Sequence, residues 1–234
     1  MQDFNQGHSI TIRRIQPEDS PILLQAYKDE SFIHLYRSNH THQTEEQLSD
    51  SITKYAEYNF SELGYVELMI EHKQHGIIGI AILSDYNPLH KRAEYLIGLF
   101  ASQHRSLGYG TEATLLVLDL AFNHYELNKI YTYVYGYNES SETNTLKFGF
   151  KQEGLLEEHH YLLNEQRFID LYLNGMTVNN FRHNNTIKRY AMRLLGRNIT
   201  LAPNIVKLTA TEQLPDQVGE EFLAGLLSTN IASP

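Results

Sequence analysis

Gln103-His-Arg-Ser-Leu-Gly-Tyr-Gly-Thr111 is the stretch around which this chain is organised. It follows an apolar run, Glu94-Tyr-Leu-Ile-Gly-Leu-Phe100, and opens a run of helical character from Thr111 to Asn123. It therefore reads as a strand–loop–helix junction. The start of a helix leaves several backbone N–H groups without intrahelical partners, and such a cluster can hold an anion. Gly108 and Gly110 let the backbone turn sharply and approach a ligand without a Cβ in the way. Arg105 adds a fixed positive charge. A pair of glycines alone also suits an ordinary strand-to-helix turn.

Upstream, Ile10–Ile15 alternates as a strand does, and Pro17-Glu-Asp opens a helix to about Lys28. Ser31–Gln43 is polar, carries His34, His40 and His42, and reads as a loop. Thr44 with Gln47 makes a capping box for a helix to about Asn59. Tyr65–Glu71, Ile77–Leu83 and Arg92–Phe100 then read as an antiparallel meander, with a turn over Asp85–His90. Downstream, a helix spans about Gly110–His124. Lys129–Tyr137 is a strand whose period of two puts Tyr131, Tyr133, Tyr135 and Tyr137 on one face. Asn138–Gly149 reads as a short helix closed by a glycine. Two further strands form a hairpin around Asn164-Glu165.

Arg105-x-x-Gly108-x-Gly110 resembles the pyrophosphate loop of the Gcn5-related N-acetyltransferases. Ser106 and Ser102 stand where many members of that family have Gly and Pro. Thr111-Glu-Ala-Thr114, the helix from Asn138 to Lys147-Phe-Gly-Phe150, and Gly149-Phe-x-x-Glu-Gly154 with His159-x-Tyr161 and Asp170 resemble its spermidine and ribosomal-protein branch. The resemblance covers about residues 10–177. It implies an α+β acyltransferase fold: a mixed, mostly antiparallel sheet, helices on both faces, and a splayed strand pair. It also implies acetyl-CoA as co-substrate. Leu99, Phe100 and Ala101 would hold the pantetheine arm, Arg105, Ser106, Leu107, Gly108, Tyr109, Gly110 and Thr111 the phosphates, and Asn138 would open the second motif.

The composition bounds the rest. A chain of 234 residues with 41% apolar content suits one domain with an extension. There is no cysteine, which excludes disulfides, thiolate catalysis and zinc–thiolate sites. No apolar run reaches the roughly 20 residues of a membrane span, and the N-terminus lacks the pattern of a signal peptide, so a cytoplasmic protein is expected. Residues 1–170 net −11, a balance that attracts a cationic acceptor and repels nucleic acid. It also suits a plain solvated surface.

Acetyl transfer to an amine needs a base, an N–H donor for the oxyanion and a proton for the thiolate. The resemblance makes Glu94 the candidate base, although an exposed strand carboxylate beside Lys91 or Arg92 would look the same. A family tyrosine is replaced by Thr145, so Ser141, Thr145 and water compete as the acid, with Ser141 preferred over Thr145. The tyrosine row fits a core better than a cation-binding wall. Adjacent His159 and His160 should point to opposite faces, so no metal is assigned. The expected reaction is direct attack of a small-molecule amine (a polyamine, amino sugar or amino acid derivative) on the thioester. A protein N-terminus and a non-catalytic acyl-CoA-binding module are the alternatives.

Residues 1–177 are thus expected to form the catalytic domain and 178–234 a helical extension. Ile187, Tyr190, Ala191, Leu194 and Leu195 make an apolar stripe among basic residues. That stripe needs burial, either on the domain or across a homodimer. Gln217–Ser228 reads as a last short helix.

Overall fold

The computed structural model describes residues 4–36, 44–105, 107–162 and 165–203. Strand β1 (Phe4–Gln6) and β2 (Ile10–Arg14) lead into a turn of 3-10 helix at Pro17–Asp19, then α1 (Ser20–Lys28) and α2 (Glu30–Ile33). Helices α3 (Glu45–Tyr55) and α4 (Phe60–Leu63) precede β3 (Val66–His72), β4 (Gly76–Asn87) and β5 (Arg92–Leu99). Next come α5 (Ser102–Arg105), α6 (Tyr109–Asp119), β6 (Lys129–Tyr135), α7 (Glu139–Lys147), β7 (Lys151–Leu162) and β8 (Arg167–Thr177). Helices α8 (Val178–Arg182) and α9 (Asn185–Leu194) follow.

The strands form one sheet in the order β1-β2-β3-β4-β5-β6-β8-β7, antiparallel everywhere except between β5 and β6. That parallel pairing is brief. It joins Arg92 to Lys129, Ala93 to Ile130 and Glu94 to Tyr131, and then stops. Beyond it β5 stays zipped to β4 as far as Leu99, and β6 stays zipped to β8 as far as Tyr135. The expected splayed pair is therefore present, and it opens immediately after Glu94.

Helices cover both faces. On one, Ile10, Ile12, Leu68, Ile70, Ala81 and Ala93 pack under Ala113, Leu116 and Val117 of α6. On the other, Met69 and Ile80 pack under Leu23 and Ala26 of α1, Phe32 of α2, Tyr36, and Leu48 and Ile52 of α3. Side chains alternate between faces along each strand. Along β5, Ala93, Tyr95 and Leu99 face α6, while Glu94, Leu96 and Gly98 face α1–α3. A register shift does lie beside Glu94, but it is in β4, between Ser84 and Asn87, so β5 keeps its alternation.

Several expectations need correcting. The predicted loop at 31–43 includes the end of α2, capped by the Asp29 side chain on Ser31 N; residues 37–43 lie outside the described residues. The helix from Thr44 keeps its capping box but stops at Tyr55, and Asn59 caps a separate turn, α4. Strand β1 is too short for its alternation to show in the sequence. Asp85 and Asn87 belong to β4 rather than to the turn. The junction after Phe100 is not all loop, because Ser102–Arg105 makes a helical turn. His159 and His160 do not face apart. His159 stacks on Tyr133 at 6.3 Å and His160 lies tilted against Tyr135 at 5.3 Å, both on the tyrosine face of β6. A register shift between Leu156 and His160, with Glu158 at φ 47, removes the alternation on which the expectation rested. No metal-binding group occurs among the described residues.

One compact unit runs to Ala202. The reason is packing: Phe181, Ile187, Ala191 and Ile199 are buried in the same core as α6. Phe181 is fully buried and stacks on Phe122 at 4.6 Å. Arg182 bonds Phe122 O, Asn123 Oδ1 and Leu201 O, tying the segment down further. A second unit begins at Pro203, and its residues 204–234, including the helix expected at Gln217–Ser228, lie outside the described residues. Among the described residues no helix is long and apolar enough to cross a membrane. Phe181→Ala should lower the unfolding free energy by about 3–5 kcal/mol, the usual loss for a buried ring. Urea denaturation checks this, and a change under about 1 kcal/mol would mean that α8 is an appendage.

Candidate active site

The parting of β5 and β6 opens a groove of ≈ 670 Å³ that passes through the sheet. Tyr95–Leu99 form one wall and Thr132–Tyr135 the other. Phe32, Leu35 and Tyr36 reach it from the α1–α3 face, and Thr114, Ser141, Thr145 and Phe148 from the α6–α7 face. In an antiparallel ladder, successive residues point their N–H and C=O alternately toward the partner and away. Phe100 N–H is committed to Ile78 O at 2.9 Å, which sets the alternation for β5. Leu99, Ile97 and Tyr95 therefore turn their backbone groups toward the opening. Of the three residues expected to hold the pantetheine arm, Leu99 lines the groove. Phe100 instead packs its ring edge-on against Phe32 at 5.2 Å, and Ala101 O accepts from His104 N.

Helix α6 points its N-terminus at the same groove. Gly108 is its N-cap, at φ +83, a left-handed conformation that suits glycine. Nothing lies within 4 Å of where its Cβ would be, so the approach to the helix start is open. Glu112 N donates to Gly108 O, so the N–H groups of Tyr109, Gly110 and Thr111 precede the first intrahelical bond. Arg105, Gly108, Gly110 and Thr111 line the groove. Leu107 is exposed and Ser106 lies outside the described residues. Tyr109 points elsewhere, with its ring tilted against His72 at 4.4 Å and His104 at 6.0 Å. Burial, with His75 and His104 beside it, holds His72 below its ordinary value, against the opposing pull of Glu112.

Two sets of hydrogen bonds set the pose of α6. Glu112 accepts from Ser9 N and Ile10 N at 2.7 and 3.0 Å, pinning the helix to β2. Tyr95 donates to Thr114 Oγ1 at 3.0 Å, and Thr114 donates to Gly110 O at 2.7 Å. The groove wall and the helix start thus move as one piece. On α7, Asn138 caps the helix by accepting from Ser141 N at 3.1 Å, and both residues line the groove.

A second cavity of ≈ 350 Å³ adjoins the groove, and the two share Tyr36 and Leu96. Its lining includes Arg14, Tyr55, Tyr65, Glu67 and Glu94. Glu94 is 8% exposed, so it is a buried strand carboxylate rather than a solvated one. Tyr131, its partner across the parallel pair, bonds Asp85 and accepts from Arg92 at 3.0 Å. Burial pushes the Tyr131 phenol up, so it stays protonated. Tyr131 and Tyr135 are buried and Tyr133 and Tyr137 half-buried, while Tyr133 and Tyr135 also line the groove. The row is both core and wall. Phe32 and Tyr36, stacked at 4.8 Å, were missed because their stretch reads as polar loop. Their i, i+4 spacing was the available signal. They also explain Gly98: a Cβ there would meet both rings at 2.6 Å.

The sequence profile of the acetyltransferase (GNAT) domain matches residues 9–151. This chain belongs to the GNAT family of acetyltransferases. The spermidine N(1)-acetyltransferase of Escherichia coli is 28% identical over 177 residues, covering 76% of this chain and 88% of that protein. An uncharacterized prophage-derived N-acetyltransferase of Bacillus subtilis is 27% identical over 187 residues, covering 76% and 95%. Among solved structures, a Vibrio cholerae spermidine N-acetyltransferase in complex with CoA and spermine superposes with a TM-score of 0.64 at 22% identity, over 72% of this chain and 95% of that one. A putative acetyltransferase reaches 0.66 at 20% identity, over 85% and 97%. The chain is a CoA-dependent N-acetyltransferase, and its fold is the GNAT fold. The open helix start, the glycine without a Cβ and Arg105 suit the phosphates of the acyl donor. Gly108→Val puts a β-branched residue at a positive φ and a side chain in that approach. It should weaken coenzyme A binding by at least tenfold in calorimetry; unchanged affinity would move the phosphates elsewhere.

Proposed function

We propose that the enzyme acetylates a primary amine of a small cationic molecule, with a polyamine as the class that fits best. One observation carries this reading: the second cavity joins the groove where β5 and β6 part, and Glu94 is buried in its wall. At ≈ 350 Å³ it falls in the size range of small-molecule sites. Tyr36, Tyr55 and Tyr65 offer aromatic faces to an ammonium. The negative balance of residues 1–170 favours a cation, and two relatives are named for spermidine. A protein N-terminus would call for a wide trough instead of a cavity. The groove is not filled by side chains, as a non-catalytic acyl-CoA-binding module would have it.

In this reading the acyl donor lies along the splay, with its phosphates on the start of α6. Glu94 takes the proton that the ammonium must lose before its lone pair can attack. The new N–C bond forms as the C–S bond breaks, and the thiolate leaves with a proton from Ser141 or from water. Backbone N–H groups of β5 turned into the groove offer hydrogen bonds to the carbonyl oxygen as charge builds on it. Ser141 and Thr145 both line that side, and the capping bond to Asn138 places Ser141 nearer the helix start.

An acceptor screen with acetyl-CoA, read by release of free thiol, tests the substrate class. Polyamines should turn over and peptides with free N-termini should not; the reverse pattern would overturn the reading. Glu94→Gln should lower kcat by roughly a hundredfold or more, the usual worth of a general base, and leave the dissociation constant for coenzyme A within about twofold. A full-rate variant would transfer the role to a water chain.

A further inference from the structure

Helix α7 carries a titratable group for which the transfer reaction has no use. Glu142 follows Ser141 but is not part of the groove lining; it meets β8 instead. There Asn174, fully buried, donates its side-chain N–H to Glu142 Oε2 at 2.7 Å. The other oxygens of the two groups, Glu142 Oε1 and Asn174 Oδ1, are also buried, and neither has a hydrogen-bond partner among the described residues. An ionised carboxylate only accepts, and so does an amide oxygen. Two buried acceptors without donors are unfavourable. A single hydrogen on Oε1 relieves both, by turning one acceptor into a donor for Asn174 Oδ1.

We propose that Glu142 is a positioning residue held as the neutral acid. Its carboxyl and the Asn174 amide form a two-bond pair that fastens α7 to β8 and so sets the groove wall of Asn138, Ser141 and Thr145. The register supports this coupling. Asn174 stands directly opposite Thr132 of β6, and Thr132 lines the groove. Burial is the larger influence on the carboxyl and raises it; the Asn174 bond pulls the other way. On the strands beneath α7, Lys129 of β6 and Glu153 of β7 pair with each other at 2.6 Å, and Lys151 of β7 is exposed. On α7 itself, Glu139 lies one turn before Glu142 and Lys147 in the last turn.

The sign follows from a raised folded-state value. The stabilisation is complete below the ordinary carboxylate value of 4.5 and is lost as pH rises through the folded value. The inference rests on the groove being the coenzyme A site. The test therefore reads melting temperature as well as coenzyme A affinity, in the full chain, from pH 5 to 9. Glu142→Gln keeps the shape and both hydrogen bonds and cannot titrate. It should hold the affinity and melting temperature that the unmodified chain shows at its acid limit, while the unmodified chain loses roughly threefold to tenfold in affinity, the worth of about one hydrogen bond. Glu142→Leu should be weak at every pH. Difference infrared spectra should show a protonated carboxyl band that Glu142→Gln abolishes. A melting profile that follows this pattern without the affinity profile supports the pair and places the failure in the groove reading. A glutamine variant with the same pH dependence as the unmodified chain, or absence of that band at pH 5, overturns the proposal.

Discussion

Everything at the site depends on three parallel backbone pairings that stop at Glu94 and Tyr131. A sheet edge left open in a core would be costly, because buried N–H and C=O groups need partners. Here the cost is confined. β5 is satisfied on its other side by β4, and β6 by β8. Only alternate residues of β5 present backbone groups to the gap, and those are the groups an amide-rich ligand arm can use. The gap therefore leaves alternate backbone groups of β5 facing the groove. The strands that bound it belong to a fully packed sheet, so they cannot close on each other without breaking the ladders behind them.

The same parting organises the two faces. Ala93, Tyr95 and Leu99 give the β5 wall its anchor in the α6 core, and Tyr95 reaches through Thr114 to the backbone at the start of α6. Glu94, Leu96 and Gly98 look the other way, toward Phe32 and Tyr36. In the proposed reading, the acyl donor's phosphates and the acceptor's amine approach from opposite sides of one strand. They meet where the sheet is open. Gly98 is small because two rings occupy the space of its side chain, and one of them, Tyr36, lines both cavities.

Much of this was legible. The Gly108-x-Gly110 junction announced a helix start, the capping box at Thr44 announced α3, and the alternating tyrosines announced β6. These are local signals, set by backbone sterics and by side chains a few residues apart. What the sequence left open or misplaced shares a cause. The face taken by Glu94, the shift that turns His159 and His160 the same way, and the end of the compact unit at Ala202 all depend on partners far along the chain. Glu142 and Asn174 are 32 residues apart, and neither stands out in the sequence.

The sequence by itself determined most of the elements, their order, the glycine-bearing strand-to-helix junction and the acetyltransferase family, because these rest on periodicity, caps, glycines and motif spacing. Only the tertiary structure decided which walls face each other: the split after Glu94, the cavity shared at Tyr36 and Leu96, and the buried carboxyl–amide pair on α7. Those are matters of register between strands and of packing between helices. A shift of one residue in register exchanges the faces, and periodicity within one strand carries no information about its neighbour.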